Sequence, residues 1–289
     1  MPSGHQAWDW FQQEHARAKR RQLAQAAIIG VLFVIAVLVS AHISRLSPGR
    51  LWEAFPRMGD YIERTLPEIR AGSLLSDLSL WYYAFPRWLG LLLDTLVIAL
   101  IATCAGSIAA GLLCWTASRN LVCSTWAYHL TRRIAEAART VPEVVFALVF
   151  VIAFGIGATA GLLAISIHSF GALTKLFSEV NENIDDKPLE GLRASGANWS
   201  QTIRFAVLPQ VAPGFTSYIL WRLELNVRSA AIIGFVGAGG IGQELYHAIS
   251  LGYYEDISAI VLMIIVTVTM IDLICERLRH RLIGREYLT

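Results

Sequence analysis

Charge is scarce in this sequence: Asp, Glu, Lys and Arg make up 16% of its 289 residues, while 55% are hydrophobic. A soluble chain carries about a quarter charged residues. The apolar residues also come in runs of roughly 20, which at about 1.5 Å per helical residue match a hydrocarbon core about 30 Å thick. A water-soluble globular protein is thereby excluded. The formal net charge of +2 says little; its placement says more. Cysteine is sparse too. Cys104, Cys114, Cys123 and Cys275 show no CxxC spacing and lie in or beside apolar segments, so they read as buried thiols rather than a metal or redox site. No HExxH, no GxSxG and no GxxxxGK(S/T) occurs, so no catalytic residue and no metal site is expected.

What is present is a set of apolar spans. We place six, at 23–43, 88–114, 136–154, 158–174, 210–235 and 258–277. Every backbone amide in lipid must be satisfied within the chain, so each span reads as a helix and the class is all-α integral membrane. The first span follows Arg17, Lys19, Arg20 and Arg21, as a signal peptide would. It is too long for a signal-peptide core and lacks a small-residue cleavage site, so it reads as a retained helix. Residues 1–87 form an N-terminal tail, this helix and a long loop; residues 88–289 form the core.

Lys and Arg set the orientation. They cluster in the N-terminal tail, in 115–139 (Arg119, Arg132, Arg133, Arg139), in 175–208 (Lys175, Lys187, Arg193, Arg204) and in the C-terminal tail. With six spans these segments share one side, so both termini are expected in the cytoplasm. Gly155-Ile156-Gly157 joins spans three and four as a tight hairpin, and Gly157 with Gly161 permits close helix contact.

The stretch 185–209 is the most informative. Asp186 or Lys187 precedes Pro188, which suits a first helical turn, and Glu190 follows where the helix dipole favours a carboxylate. Gly196 can end that helix in a left-handed conformation. Asn198 can cap a second short helix, Trp199 to Val207, ended by Leu208-Pro209. Local physics makes this an amphipathic loop on the membrane or a docking surface for a soluble partner.

Glu190, Gly196 and Leu208-Pro209 stand at the spacing of the coupling loop of ABC importer permeases, which the segment resembles. Gly191 and Leu192 replace that loop's two alanines and Ala206 its isoleucine. The resemblance implies that Glu190, Gly191, Arg193, Ala194, Gly196, Leu208 and Pro209 dock an ATPase subunit. The stretches 139–147, 167–169, 175–179, 190–198, 224–230 and 236–242 further resemble the phosphonate-uptake permeases, over roughly residues 88–280. That family implies a type I importer permease fold in the bacterial inner membrane. It implies a second copy of the chain, two cytoplasmic ATPase subunits that bind ATP and Mg, and a periplasmic or lipid-anchored substrate-binding protein. No nucleic acid is implied. Import of phosphonate, phosphite or phosphate is the expected function. A related importer for methionine or a quaternary amine, and a membrane-embedded enzyme, stay open as alternatives.

Residues 231–242 mimic a strand followed by GxGxxG, a dinucleotide-binding fingerprint. The next segment is a further apolar run with no second strand ending in an acid, so the cofactor reading fails on context. Gly237, Gly239, Gly240 and Gly242 are expected instead in a compact turn along a translocation path. Ionisable groups in lipid cost about 3 kcal/mol or more, so Glu143, His168, Arg222, Glu224 and Arg228 are path candidates, with Asp94 near the start of span two. Glu224 and Arg228 stand i, i+4 and can pair. Arg222 and Arg228 look unneutralised, and Arg228 is the candidate to attract an anion.

Overall fold

The structure is a computed structural model that describes residues 4–44, 48–67, 72–122 and 124–283. Among these residues the chain is helical throughout, with no strand. One compact unit ends at Glu63 and contains α1 (Gly4–Ile43) and nearly all of α2 (Pro48–Thr65). The second begins at Arg64 and holds α3 (Leu74–Trp81), α4 (Phe85–Ala117), α5 (Thr125–Thr140), α6 (Glu143–Phe154), α7 (Ala158–Glu182), α8 (Asp186–Ala194), α9 (Trp199–Thr202), α10 (Leu208–Ile233), α11 (Ile241–Leu251) and α12 (Tyr254–Ile283). Within it α3 is tied to α12: Trp81 Nε1 donates to the Glu255 carbonyl and to Ser258 Oγ, each at 3.1 Å.

Helix α4 is the spine. Its 33 residues rise about 50 Å, and three apolar clusters succeed one another along it. Trp88 and Leu92 pack with Ile241, Leu245 and Ile260 of α11 and α12. Ile98, Ala99 and Ala102 pack with Ala147, Ile165 and Ile233 of α6, α7 and α10. Ala110 and Cys114 pack with Phe177, Leu189 and Val211 of α7, α8 and α10. Small residues let backbones meet where no hydrophobic driving force separates helix from lipid: a Cβ on Gly106 would stand 2.7 Å from Ser169 Cβ on α7.

Four stretches are long and apolar enough to cross a membrane: Arg17–Ile43, Phe85–Ala117, Ala158–Glu182 and Tyr254–Arg281. Two bent pairs bring the count to six if each pair is one span. The expected single helix at 136–154 is one of these and needs correction. It is α5 and α6, set at 85° to each other. Pro142 bars the helical conformation from the residue before it, and Val141 is extended at φ −76° and ψ 125°. The 12 residues of α6 rise about 18 Å, too short to cross alone. Helix α5 is amphipathic and buries Thr131, Ala135 and Ala138. The second pair runs from Trp199 to Val236 and bends by 45° into α11.

The α6–α7 hairpin is as tight as its glycines suggest. The amide of Gly157 donates to the Gly237 carbonyl at 2.9 Å, and a Cβ on Gly161 would lie 3.0 Å from Ala238 Cβ. The small-residue face thus packs on the glycine-rich turn of its own chain. That turn is closed by Gly242, where a Cβ would stand 1.9 Å from the Ala231 carbonyl oxygen. Gly242→Ala is therefore expected to lower the folded yield and the thermal midpoint of purified protein in detergent. Gly111→Ala, with nothing within 4 Å of the added carbon, should leave both unchanged.

Candidate functional site

Two features of the second unit lie outside ordinary helix packing: an exposed knob before α10 and a polar chain inside the bundle.

The knob begins at Asp185, whose carboxylate accepts the Lys187 amide at 3.1 Å. Asp185 is thus the cap, and Pro188 sits at the third helical position, in the first turn as expected, where its missing N–H has no intrahelical partner to lose. Gly196 ends α8 with φ +82°. The Gly196 amide donates to the Arg193 carbonyl and the Ala197 amide to the Leu192 carbonyl, both at 3.0 Å, which is the paired closure of a Schellman motif. Asn198 and Gln201 form a reciprocal capping box at the start of α9. Leu189 is 2% exposed and anchors α8 on Phe177, Val207 and Val211. Trp199 Nε1 donates to the Leu121 carbonyl at 2.9 Å. Glu190, Gly191, Arg193, Ala194 and Gly196 all remain on the accessible side of this loop. The result is a rigid, anchored projection with a charged outer face.

Leu208-Pro209 does not end a helix, contrary to the sequence expectation. The chain runs from α9 through a π-helical turn, Ile203–Val207, straight into α10. Pro209 has no N–H and its ring crowds the carbonyl four residues back. The wider turn accommodates it, with the Leu208 amide reaching Ile203. Gln210 completes the joint. Its Nε2 donates to the Ala206 carbonyl at 2.8 Å, and its Oε1 accepts the Asp185 amide at 3.0 Å. One side chain thus ties the start of α8 to the first turn of α10. Nothing in the local pattern singled out Gln210, because its partner lies 25 residues away.

The bundle interior holds a chain of polar groups from four helices. Arg222, 5% exposed, donates to Glu143 Oε1 at 2.6 Å and to Ser169 Oγ at 3.1 Å. Asn226 Nδ2 donates to Ser169 Oγ at 2.9 Å and to Thr103 Oγ1 at 2.8 Å. His168 Nδ1 lies 3.1 Å from the Val141 carbonyl, freed by the break at Pro142, and its Nε2 is 3.7 Å from Glu143. Glu143, His168 and Arg222 therefore do come together. The expected Glu224–Arg228 pair does not form. Both side chains turn from α10 to α12: Arg228 meets Asp272 at 2.6 Å, and Glu224 pairs with Arg279. Neither Arg222 nor Arg228 is unneutralised. Asp272 was legible as a charge inside span six, and Thr103, Ser169 and Asn226 carried no signal beyond polarity in apolar runs.

Gly237, Gly239 and Gly240 take left-handed conformations in the turn between α10 and α11. The Ile241 amide donates to Thr95 Oγ1 at 2.9 Å. Helices flank the GxGxxG pattern on both sides, which removes the dinucleotide reading. Gly240 also borders an open cavity of about 540 Å³ with Arg87, Gln243, Glu244 and His247. Asp94 is exposed on α4.

Residues 102–285 match the family described as binding-protein-dependent transport system inner membrane component. The chain is 32% identical over 252 residues to a phosphite transport system permease protein of Stutzerimonas stutzeri, covering 87% of this chain and 86% of that one. It is 48% identical over 122 residues to a putative cryptic phosphonate transport system permease protein of Escherichia coli K12, covering 42% of this chain and all of that one. Among solved structures, a chain of the MetNI methionine ABC transporter in inward-facing conformations superposes with a TM-score of 0.59 at 22% identity, covering 68% of this chain and 95% of that one. The chain belongs to the binding-protein-dependent inner membrane component family. Its fold is that of type I ABC importer permeases. It is a transport subunit of the inner membrane, and the family implies an ATPase and a substrate-binding protein as partners.

Breaking a buried ion pair by removing one partner costs about 3–5 kcal/mol, whereas an apolar replacement of both is often tolerated. Glu143→Ala is accordingly expected to lower the thermal midpoint in detergent sharply, and Glu143→Leu with Arg222→Leu to recover much of the loss. Equal midpoints for wild type and Glu143→Ala would show that the pair carries no stability.

Proposed function

We propose that this chain is the permease of an ATP-driven importer for a phosphorus oxyanion: a phosphonate, phosphite or phosphate. The observation that carries the substrate class is the similarity to the phosphite relative along nearly the whole length of both chains. The methionine transporter resembles it at 22% identity, which speaks for fold alone. The working assembly is two copies of this chain, two cytoplasmic ATPase subunits that hold ATP and Mg, and a periplasmic or lipid-anchored binding protein.

The knob is the surface the ATPase grips. Glu190 offers an exposed carboxylate midway along a short anchored helix, where the structure places it past the first turn that the sequence suggested, and a charge-assisted contact there contributes about 1.5–3 kcal/mol. Because α9, the π turn and α10 are one continuous path, displacement of the knob moves α10 directly. Gln210 links the start of α8 to it through the Asp185 amide. Helix α10 carries Arg228, whose side chain keeps 44% of its surface exposed beside Asp272. A guanidinium held in place by a carboxylate can still present donors to a passing anion. Arg222, Glu143, Glu224 and His168 serve this path by fixing α10 against its neighbours, and the glycine-rich turn closes its far end.

Reconstituted complexes in proteoliposomes, scored for binding-protein-stimulated ATPase and for uptake of labelled phosphonate, phosphite and phosphate, test this reading. Gly196→Val should abolish stimulation, since a β-branched residue resists φ +82°. Glu190→Ala should weaken docking. Gln210→Leu should keep the ATPase bound but transport less substrate per ATP hydrolysed. Arg228→Gln should reduce uptake in an assembled complex. Uptake of methionine or a quaternary amine with none of a phosphorus oxyanion would overturn the substrate class, and full stimulation in Gly196→Val and Glu190→Ala the coupling role.

The basic residues beside the knob favour a cytoplasmic position for it and for both termini. A cysteine at Ser195 should resist a membrane-impermeant maleimide in intact cells and react in inverted vesicles; the opposite pattern would reverse the topology.

A further inference from the structure

Helix α2 takes no part in the coupling path. It has 18 residues and a regular division of faces. Trp52, Phe55 and Ile62 share one side with Gly59, and Met58 lies beside them. Glu53, Arg57, Asp60 and Arg64 repeat at four, three and four residues along the other. Glu63, in the last turn, falls at the edge of the apolar side. The apolar face is bare: Trp52 is 82% exposed, Phe55 71%, Met58 58% and Ile62 53%. A helix this amphipathic needs an apolar phase along one side.

The chain itself restricts which phase that is. The apolar stretch of α1 that can cross the membrane ends at Ile43, and α2 begins at Pro48. Five residues of fully extended chain reach at most about 18 Å. Helix α2 therefore starts close to the point where α1 leaves the hydrocarbon, in or beside the interfacial layer. Its length of about 27 Å is short of a crossing, and its charged side could not cross without cost.

We propose that α2 lies flat in the membrane interface, with Trp52, Phe55, Met58 and Ile62 sunk among the lipids and Glu53, Arg57 and Asp60 facing water. The long segment between α1 and α4 is then in part a lipid-bound element rather than chain free in the aqueous space. The charge on α2 defines the kind of surface it fits. Arg50, Arg57 and Arg64 are matched by Glu53, Asp60 and Glu63, so attraction to anionic headgroups adds little and apolar burial provides the affinity. Binding should not depend on anionic lipid. The proposal stands whether or not the substrate assignment does.

The test uses the full-length chain in nanodiscs, with its native cysteines replaced and single spin-labelled cysteines introduced in turn. Labels at Phe55→Cys, Met58→Cys and Ile62→Cys should collide more with oxygen than with a water-soluble nickel chelate, as a label at Leu32→Cys in α1 does. Labels at Glu53→Cys and Asp60→Cys should show the reverse, and the sign change should persist in purely zwitterionic lipid. Water-like collisions on both faces would overturn the proposal. So would an apolar face shielded from oxygen and nickel alike, the mark of a protein partner, or a contrast confined to anionic lipid.

Discussion

A guanidinium inside an apolar bundle has to be met by a carboxylate, and the arrangement around Arg222 is a consequence of that requirement. Arg222 is 5% exposed and faces Glu143 at 2.6 Å. To deliver Glu143 there, the chain must turn just before it, and Pro142 supplies the turn by ending α5 at Thr140. The turn frees the Val141 carbonyl, which His168 meets. Arg222 Nε donates to Ser169, and Asn226 Nδ2 donates to Ser169 and Thr103. Breaking the helix and pairing the charge are one device. It draws α4, α6, α7 and α10 together where dispersion alone would not choose a register.

The same α10 is continuous with the knob. Its path begins at Trp199, exposed, and reaches Arg222 about 35 Å further along. A break at Leu208-Pro209 would have isolated the two ends. The π turn instead absorbs the proline, and Gln210 fixes the joint. On the far side, two ion pairs hold α10 to α12. Motion of α10 therefore has to carry α12 or break charged contacts, which favours discrete positions over gradual bending.

Much of this was legible in the chain. Apolar runs of bilayer length announce helices, and the caps of α8 and α9 are local events between residues two to five apart, so Gly196 and the Asn198 cap stand where the sequence places them. The errors share a cause. Sequence shows Glu224 and Arg228 only as i, i+4 neighbours that can pair; their partners in the structure, Arg279 and Asp272, are 55 and 44 residues away. The helix expected at 136–154 is two helices because the effect of Pro142 is angular and mean hydropathy does not register it.

The sequence by itself determined the solvent this protein folds in, its all-helical class and the caps of its exposed knob, because hydropathy, propensity and capping act within a few residues. Only the tertiary structure decided which charge neutralises which, where the helix through Pro209 stays continuous, and that Gln210 joins the knob to α10. Those outcomes depend on side chains from distant helices meeting in an apolar interior, where an unpaired group costs several kcal/mol and the best available partner, however remote in sequence, wins.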